Sequence, residues 1–277
     1  MKFIKMQGAG NDYIYVDAFT TRVTAPSELA REMSDRRFGV GSDGLILIQP
    51  SDRAHAYMEM YNADGSRGMM CGNGIRCVAK FLFDRGRAPE EMVIDTASGL
   101  KKVRIEKRPD TIDAVTVEMG VPDLWSDAVP MTGERRRVID EPIQVGGDLA
   151  YQVTAVSVGN GHCVIFVDDV NEAPVHTVGP SIESHAVFPE RVNVSFAQVI
   201  SPRHLKQRVW ERGSGETFAC GTGATASAVA AILTGRALSP VRVSLPGGDL
   251  EIAWPGEGAT ASMTAMYATS SPPATSC

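Results

Sequence analysis

The sequence predicts an α+β protein made of two pseudo-symmetric halves, each a curved, mostly antiparallel sheet wrapped around a central helix, with the active site in the cleft between them. Three observations predict this. Cys71-Gly72-Asn73-Gly74 recurs 149 residues later as Cys220-Gly221-Thr222-Gly223, and Gly10-Asn11 recurs at the same offset as Gly159-Asn160. A helical pattern follows each cysteine, and short β-rich runs surround both. Two motifs at one offset point to a duplication, in which each half is one structural unit.

In chain order, the turn Gly10-Asn11 leads into the apolar run Tyr13–Asp17, read as a strand, and Leu45–Ile48 is a second. After Cys71, residues Ile75, Val78, Ala79 and Leu82 follow i, i+3, i+4, i+7, and Gly86 stands where a helix stop belongs. Met92–Asp95 and Ala114–Val117 complete the first half. The turn-rich stretch Gly120–Asp123 marks the boundary, giving an N-terminal half over 1–121 and a C-terminal half over 122–265. The second half repeats the pattern: Gly159-Asn160, the strand Val164–Asp168, Val192–Val194, and a helix from Ala224 to Leu233 that is apolar nearly all round and therefore buried on most faces. Gly235 is its stop, and Val241–Val243 and Leu250–Ile252 are strands. Residues 266–277, rich in Ser, Pro and Thr, read as a frayed tail.

The chain has 277 residues, 43% hydrophobic and 22% charged, within the range of folded globular proteins. Its net charge of −6 supplies no basic field for a polyanion, so nucleic acid is not an expected partner. No apolar stretch reaches the roughly 18 residues of a membrane span, and Met1–Gly8 has no signal-peptide core, so a cytoplasmic protein without membrane contact is expected. Five cysteines, an odd number with no C-x-x-C pair, argue against a disulfide scaffold and a zinc site. Reduced thiols remain, and no metal or cofactor is expected.

Cys71 and Cys220 each open a helix. A helix N-terminus presents unpaired N–H groups and about half a positive charge, and flanking glycines let an anion approach the backbone. It cradles a carboxylate, and the same field is expected to lower a cysteine pKa. With the halves face to face, one thiolate removes a proton from a carbon while the other thiol returns one to the opposite face. That is stereoinversion without a cofactor, with the helix N-termini stabilising enolate charge.

Asn11, Asn62, Asn160 and Asn193 stand in turns or at strand ends, where each alone reads more readily as a turn former. Together their donors and acceptors suit a ligand carrying both an ammonium and a carboxylate. Arg212 could grip a carboxylate with its fork, and Glu211 could accept from an ammonium. His162 is open between an assisting acid or base and a satisfied strand residue. Cys77 and Cys163, which have no repeat partner, read as core.

At these residues the chain resembles the diaminopimelate epimerases. The similarity runs through Lys2–Met6, Gly8–Asp12, Phe38–Gly41, Asn62–Ser66, Cys71–Cys77, Gly159–Cys163, Phe188–Val194, Glu211–Thr217 and Ala219–Gly223. It implies Cys71 and Cys220 as the acid/base pair, with His162 and Glu211 assisting. It implies that Gly72, Asn73, Gly221 and Thr222 hold the carboxylate at the reacting centre. Asn11, Asn62, Asn160, Asn193, Glu211 and Arg212 would bind the rest of the substrate. The implied partners are the small-molecule substrate, diaminopimelate, and a second copy of the chain in a homodimer. Three positions depart from the pattern: Gly44 stands where some members carry a glutamine ligand, Gly161 replaces a proline, and Ala265-Met266-Tyr267 replaces Gly-Pro-Ala.

The competing readings are a proline or hydroxyproline racemase of the same general fold, which has less use for Arg212 and four asparagines, and a non-catalytic amino-acid binding protein, which would tolerate serine at 71 and 220. A thiol redox sensor is disfavoured because the duplication has no role in it.

Overall fold

The computed structural model describes residues 1–107, 114–147 and 149–266, which form two compact units: Met1–Val117 with Ala265 and Met266, and Glu118–Thr264. The first unit runs β1 (Ile4–Gly8), β2 (Asn11–Asp17), α1 (Pro26–Ser34), β3 (Gly44–Gln49), β4 (Ala56–Asn62), β5 (Arg67–Gly68), α2 (Gly72–Asp84), β6 (Glu91–Thr96), β7 (Gly99–Glu106) and most of β8 (Ala114–Gly120). β1–β2 is antiparallel, β2–β3 parallel and β3–β4 antiparallel. β4 is antiparallel to β5 and parallel to β6, and β6–β7 and β7–β8 are antiparallel.

β3 explains why its sequence reads as an unbroken apolar run. Leu45 and Leu47 pack with Ile14, Val16 and Ala30 on the face covered by α1. Ile46, pointing the other way, lies under α2, with its Cδ1 2.7 Å from where a Cβ on Gly74 would stand. A strand covered on both faces has no polar side to show.

The second unit begins with a short 3-10 turn at Ser126–Ala128 and an extra strand, β9 (Glu141–Gly146), antiparallel to β10 (Leu149–Ser157). There follow β11 (Gly161–Phe166), α3 (Val175–Glu183), β12 (Asn193–Ser201), β13 (His204–Glu211), β14 (Gly215–Thr217), α4 (Gly221–Leu233), β15 (Val241–Leu245), β16 (Gly248–Ala253) and β17 (Ala261–Met266). Their pairings repeat those of the first unit in type and order. β10–β17 match β1–β8, α3 matches α1, and α4 matches α2. The two central helices are 13 residues each, start 149 residues apart, and stop at Gly86 (φ 65°) and Gly235 (φ 72°), where only glycine takes the left-handed turn without strain. α4 is buried continuously from Gly223 to Ala231, as its all-round apolar sequence requires.

The α+β fold of two repeated halves predicted from sequence is the fold found. α1 and α3 are additions. α1 is only nine residues long, with Ala30 and Ser34 buried and Leu29 and Met33 half-buried against the core, too short a run to stand out in the sequence. α3 contains Gly179-Pro180, which reads as a break, yet a Cβ at Gly179 would come 2.9 Å from Trp210 Cβ and Cγ. The glycine is what lets α3 lie against β13. The units divide inside β8, ahead of the Gly120–Asp123 turn, and Met266 is the last residue of β17; Tyr267–Cys277, with Cys277 and most of the tail, lie outside the described residues.

Candidate active site

In the first unit, β5 delivers the chain to Cys71, the N-cap of α2, whose extended backbone (φ −123°, ψ 118°) turns Sγ back to accept from the Gly74 N–H at 3.3 Å. The thiol donates to Asn11 Oδ1 at 3.2 Å. Asn11, the first residue of β2, is brought there by the left-handed turn at Gly10 (φ 80°). Its Nδ2 donates to Asp43 Oδ2 at 2.5 Å. Asn73 is buried, and its Oδ1 accepts from Arg76 Nη2 at 2.9 Å, while Arg76 Nη1 donates to Gly72 O at 3.1 Å. Asn62, at the end of β4, donates to Ser66 Oγ at 2.9 Å within its own turn.

In the second unit Cys220 caps α4 with the same geometry (φ −125°, ψ 109°), accepting from the Gly223 N–H at 3.3 Å. Its Sγ lies 3.4 Å from Thr222 Oγ1 and stands beside the Glu211 carboxyl. Glu211 also accepts from Thr217 Oγ1. Burial raises the Glu211 carboxyl above its ordinary value, against the pull of the Thr217 and Cys220 hydrogen bonds. Burial pushes the Cys220 thiol well up, the Glu211 charge adds to this, and the Thr222 and Gly223 hydrogen bonds oppose it. The sequence expectation of a lowered thiol pKa at each helix start therefore fails at Cys220, where desolvation and a neighbouring carboxyl outweigh the helix terminus.

Asn160 Oδ1 lies 3.1 Å from His162 Nε2. His162 is fully buried, and burial, with the positive Arg212 adding to it, lowers its pKa to about 3, so the ring is neutral at neutral pH. Its Nδ1 has no hydrogen-bond partner. Asn193, the register partner of His162 across β11–β12, donates from Nδ2 to Gly161 O at 2.9 Å and accepts the Arg212 backbone N–H at 3.0 Å. The exposed Arg212 guanidinium donates to Glu190 O at 3.0 Å.

Each unit thus gathers a cysteine, the leading amides of a helix and a polar neighbour of the sulfur. Cys77 and Cys163 are buried in the core; burial pushes the Cys77 thiol to about 11 and raises Cys163 further. Sequence reasoning missed Asp43 and Arg76. Arg76 is a charged residue among Ile75, Cys77, Val78 and Ala79 on a buried stripe, and that placement is a readable signal. Asp43 left none, because its repeat counterpart 149 residues on is Val192. Among the described residues no three His, Cys, Asp or Glu side chains gather as metal ligands, and no helix is long and apolar enough to cross a membrane.

This two-halved α+β architecture is shared with a class of solved isomerases and related enzymes. A probable proline racemase from Agrobacterium radiobacter K84, crystallised with bound carbonate, has a TM-score of 0.68 at 15% identity, covering 96% of this chain and 89% of that one. A PhzF-family phenazine biosynthesis protein from Bacillus anthracis has a TM-score of 0.67 at 15% identity over 98% of both chains. At such identity the likeness concerns the fold alone. Sequence goes further: the family model for Diaminopimelate epimerase matches residues 3–125 and 154–269. The diaminopimelate epimerase of Moorella thermoacetica is 50% identical over 92% of this chain and 91% of its own, and that of Desulfovibrio desulfuricans is 46% identical over the same shares. The chain belongs to the diaminopimelate epimerase family and is an isomerase.

Proposed function

We propose that this enzyme interconverts LL- and meso-2,6-diaminopimelate with Cys71 and Cys220 as its acid/base pair. The observation that carries the reading is the equivalence of the two thiols: each caps a 13-residue central helix at the same place in the repeat, accepting from the amide three residues on. One cysteine, as thiolate, takes the proton from the carbon next to the substrate carboxylate, and the C–H electron pair moves into that carboxylate as an enediolate. The other, as thiol, delivers a proton to the opposite face, and the pair ends with its protonation exchanged. The reading requires the two thiols to reach opposite faces of one carbon.

The leading amides of each helix point out of its N-terminus. Those at Gly72, Asn73, Gly221 and Thr222 take the carboxylate and the charge that develops on it. Glu211, beside Cys220, accepts its proton. The neutral His162 holds Asn160 in place, and Asn193 fixes the backbone of Arg212 so that its exposed guanidinium is available to a distal carboxylate. Asn11 and Asn62 supply further polar contacts. The relatives' name favours a role in lysine and peptidoglycan-precursor synthesis, hence a cytoplasmic enzyme, acting as a homodimer.

Incubation with LL-diaminopimelate in deuterated water tests this. Formation of the meso isomer with one solvent deuterium at the inverted carbon is expected. Failure to invert or to take up label refutes it.

A further inference from the structure

Beyond the residues of that reading, the first half couples its thiol to a carboxylate. Three donors converge on Asp43: Asn11 Nδ2 at 2.5 Å and the Asp12 N–H at 3.0 Å reach Oδ2, and Arg36 Nη2 reaches Oδ1 at 2.9 Å. The Asp43 backbone is pinned as well, donating to Asp12 O at 2.7 Å and accepting from the Ala63 N–H at 3.1 Å. A carboxylate offers only acceptors, so the Asn11 amide must direct its NH2 at Asp43 and its oxygen away. That oxygen meets Cys71 Sγ at 3.2 Å.

We propose that Asp43 is a positioning residue for Cys71. By locking the Asn11 amide it keeps an acceptor against Sγ, and so holds Cys71 as a hydrogen-bonded, proton-donating thiol between turnovers. A thiolate there would face the negative end of a carbonyl dipole, whereas the reversed amide would donate to it and favour it. The device belongs to one half only. The counterpart of Asp43 is Val192, Asn160 turns its oxygen to His162, and Cys220 stands beside Glu211 and Thr222 instead. The inference rests on the reading of Cys71 as an acid/base group, but its test needs no turnover.

Iodoacetamide reacts with the thiolate, so the alkylation rate of Cys71 against pH, followed by peptide mass spectrometry, reports its protonation. Asp43→Asn presents Asn11 with a donor as well as an acceptor and frees the amide to turn. Alkylation of Cys71 at pH 7.5 is expected to be about three- to tenfold faster than in wild type, while in an Asn11→Ala background the same change moves it less than about twofold. The other titratable groups that interact with Cys71 in its unit, Arg76 and Cys77 on α2 and Tyr15 on β2, and the Lys5, Asp12 and Arg36 charges around Asp43 are common to all four proteins and cancel in this cycle. An unchanged profile in Asp43→Asn, or an equal change in the Asn11→Ala background, overturns the proposal. Should Asp43→Asn not fold, amide-proton exchange in the wild type decides: the Asn11 side-chain NH2 is expected to exchange slowly in nuclear magnetic resonance, and exchange as fast as an exposed asparagine's sinks it. A failed epimerase reading shows itself in the deuterium experiment and leaves this cycle interpretable.

Discussion

Asn62 and Glu211 occupy the same place in the two halves, the last residues of β4 and β13, 149 positions apart, yet one is an amide turned into its own loop and the other a half-buried carboxyl held by Thr217 beside Cys220. If Glu211 takes the Cys220 proton, replacing it by Gln removes that base and the charge that opposes the thiolate. Epimerisation is expected to fall by about 10²-fold, the low end for loss of an acid/base group, while Cys220 alkylation shifts to lower pH. Steady-state kinetics and peptide mapping check both.

Cys71→Ser and Cys220→Ser should each reduce turnover by roughly 10⁴-fold or more, since a hydroxyl is a far weaker acid than a thiol. Circular dichroism should show the fold intact. Near-normal turnover in either variant would exclude a two-thiol mechanism.

Arg212→Met tests substrate reading. If the guanidinium binds a distal carboxylate, kcat/KM for diaminopimelate drops by two or more orders of magnitude, on the scale of roughly 2–3 kcal/mol for a charged hydrogen bond, and the residual rate on lysine, which lacks that carboxylate, hardly changes. Equal losses on both substrates would count against Arg212 as the discriminating residue.

His162 makes stability pH-dependent. Its pKa is about 3 in the fold and about 6.5 when unfolded, so below pH 6.5 the unfolded chain binds a proton that the folded chain does not. Its contribution is fully present above pH 6.5 and is lost as pH falls toward 3. Between pH 7.5 and 5 this is about 2 kcal/mol at ~1.36 kcal/mol per pH unit. Urea unfolding at the two pH values should show a decline that His162→Gln reduces by about that amount.

Gly44→Ala should destabilise the first half. A Cβ there would stand 2.1 Å from Tyr61 O and 3.0 Å from Tyr13 Cε1, and the first obstacle is backbone that can give way only by breaking the β3–β4 register. A loss of about 2–4 kcal/mol is expected from urea midpoints.

The duplication was legible because glycine and cysteine are irreplaceable where they recur: Gly10 and Gly159 at left-handed turns, and Cys71 and Cys220 at helix caps. The equivalence extends to positions with no residue in common. Tyr13 faces Gly44 across β2–β3 as His162 faces Asn193 across β11–β12, a match that sequence comparison cannot see. Asp43 was hidden for the same reason. The Cys220 thiol was misjudged because a motif shows the helix terminus beside a cysteine but neither its burial nor Glu211.

Two identical subunits meeting on a two-fold axis must offer a ligand the same side chains twice. Because both copies of this repeat lie in one polypeptide, each could drift on its own while the strand order stayed fixed, and Arg76 against Thr225, Asn73 against Thr222 and Gly44 against Asn193 record that drift. The repeat therefore sets unlike side chains on like backbone, a handedness that two identical subunits could not have.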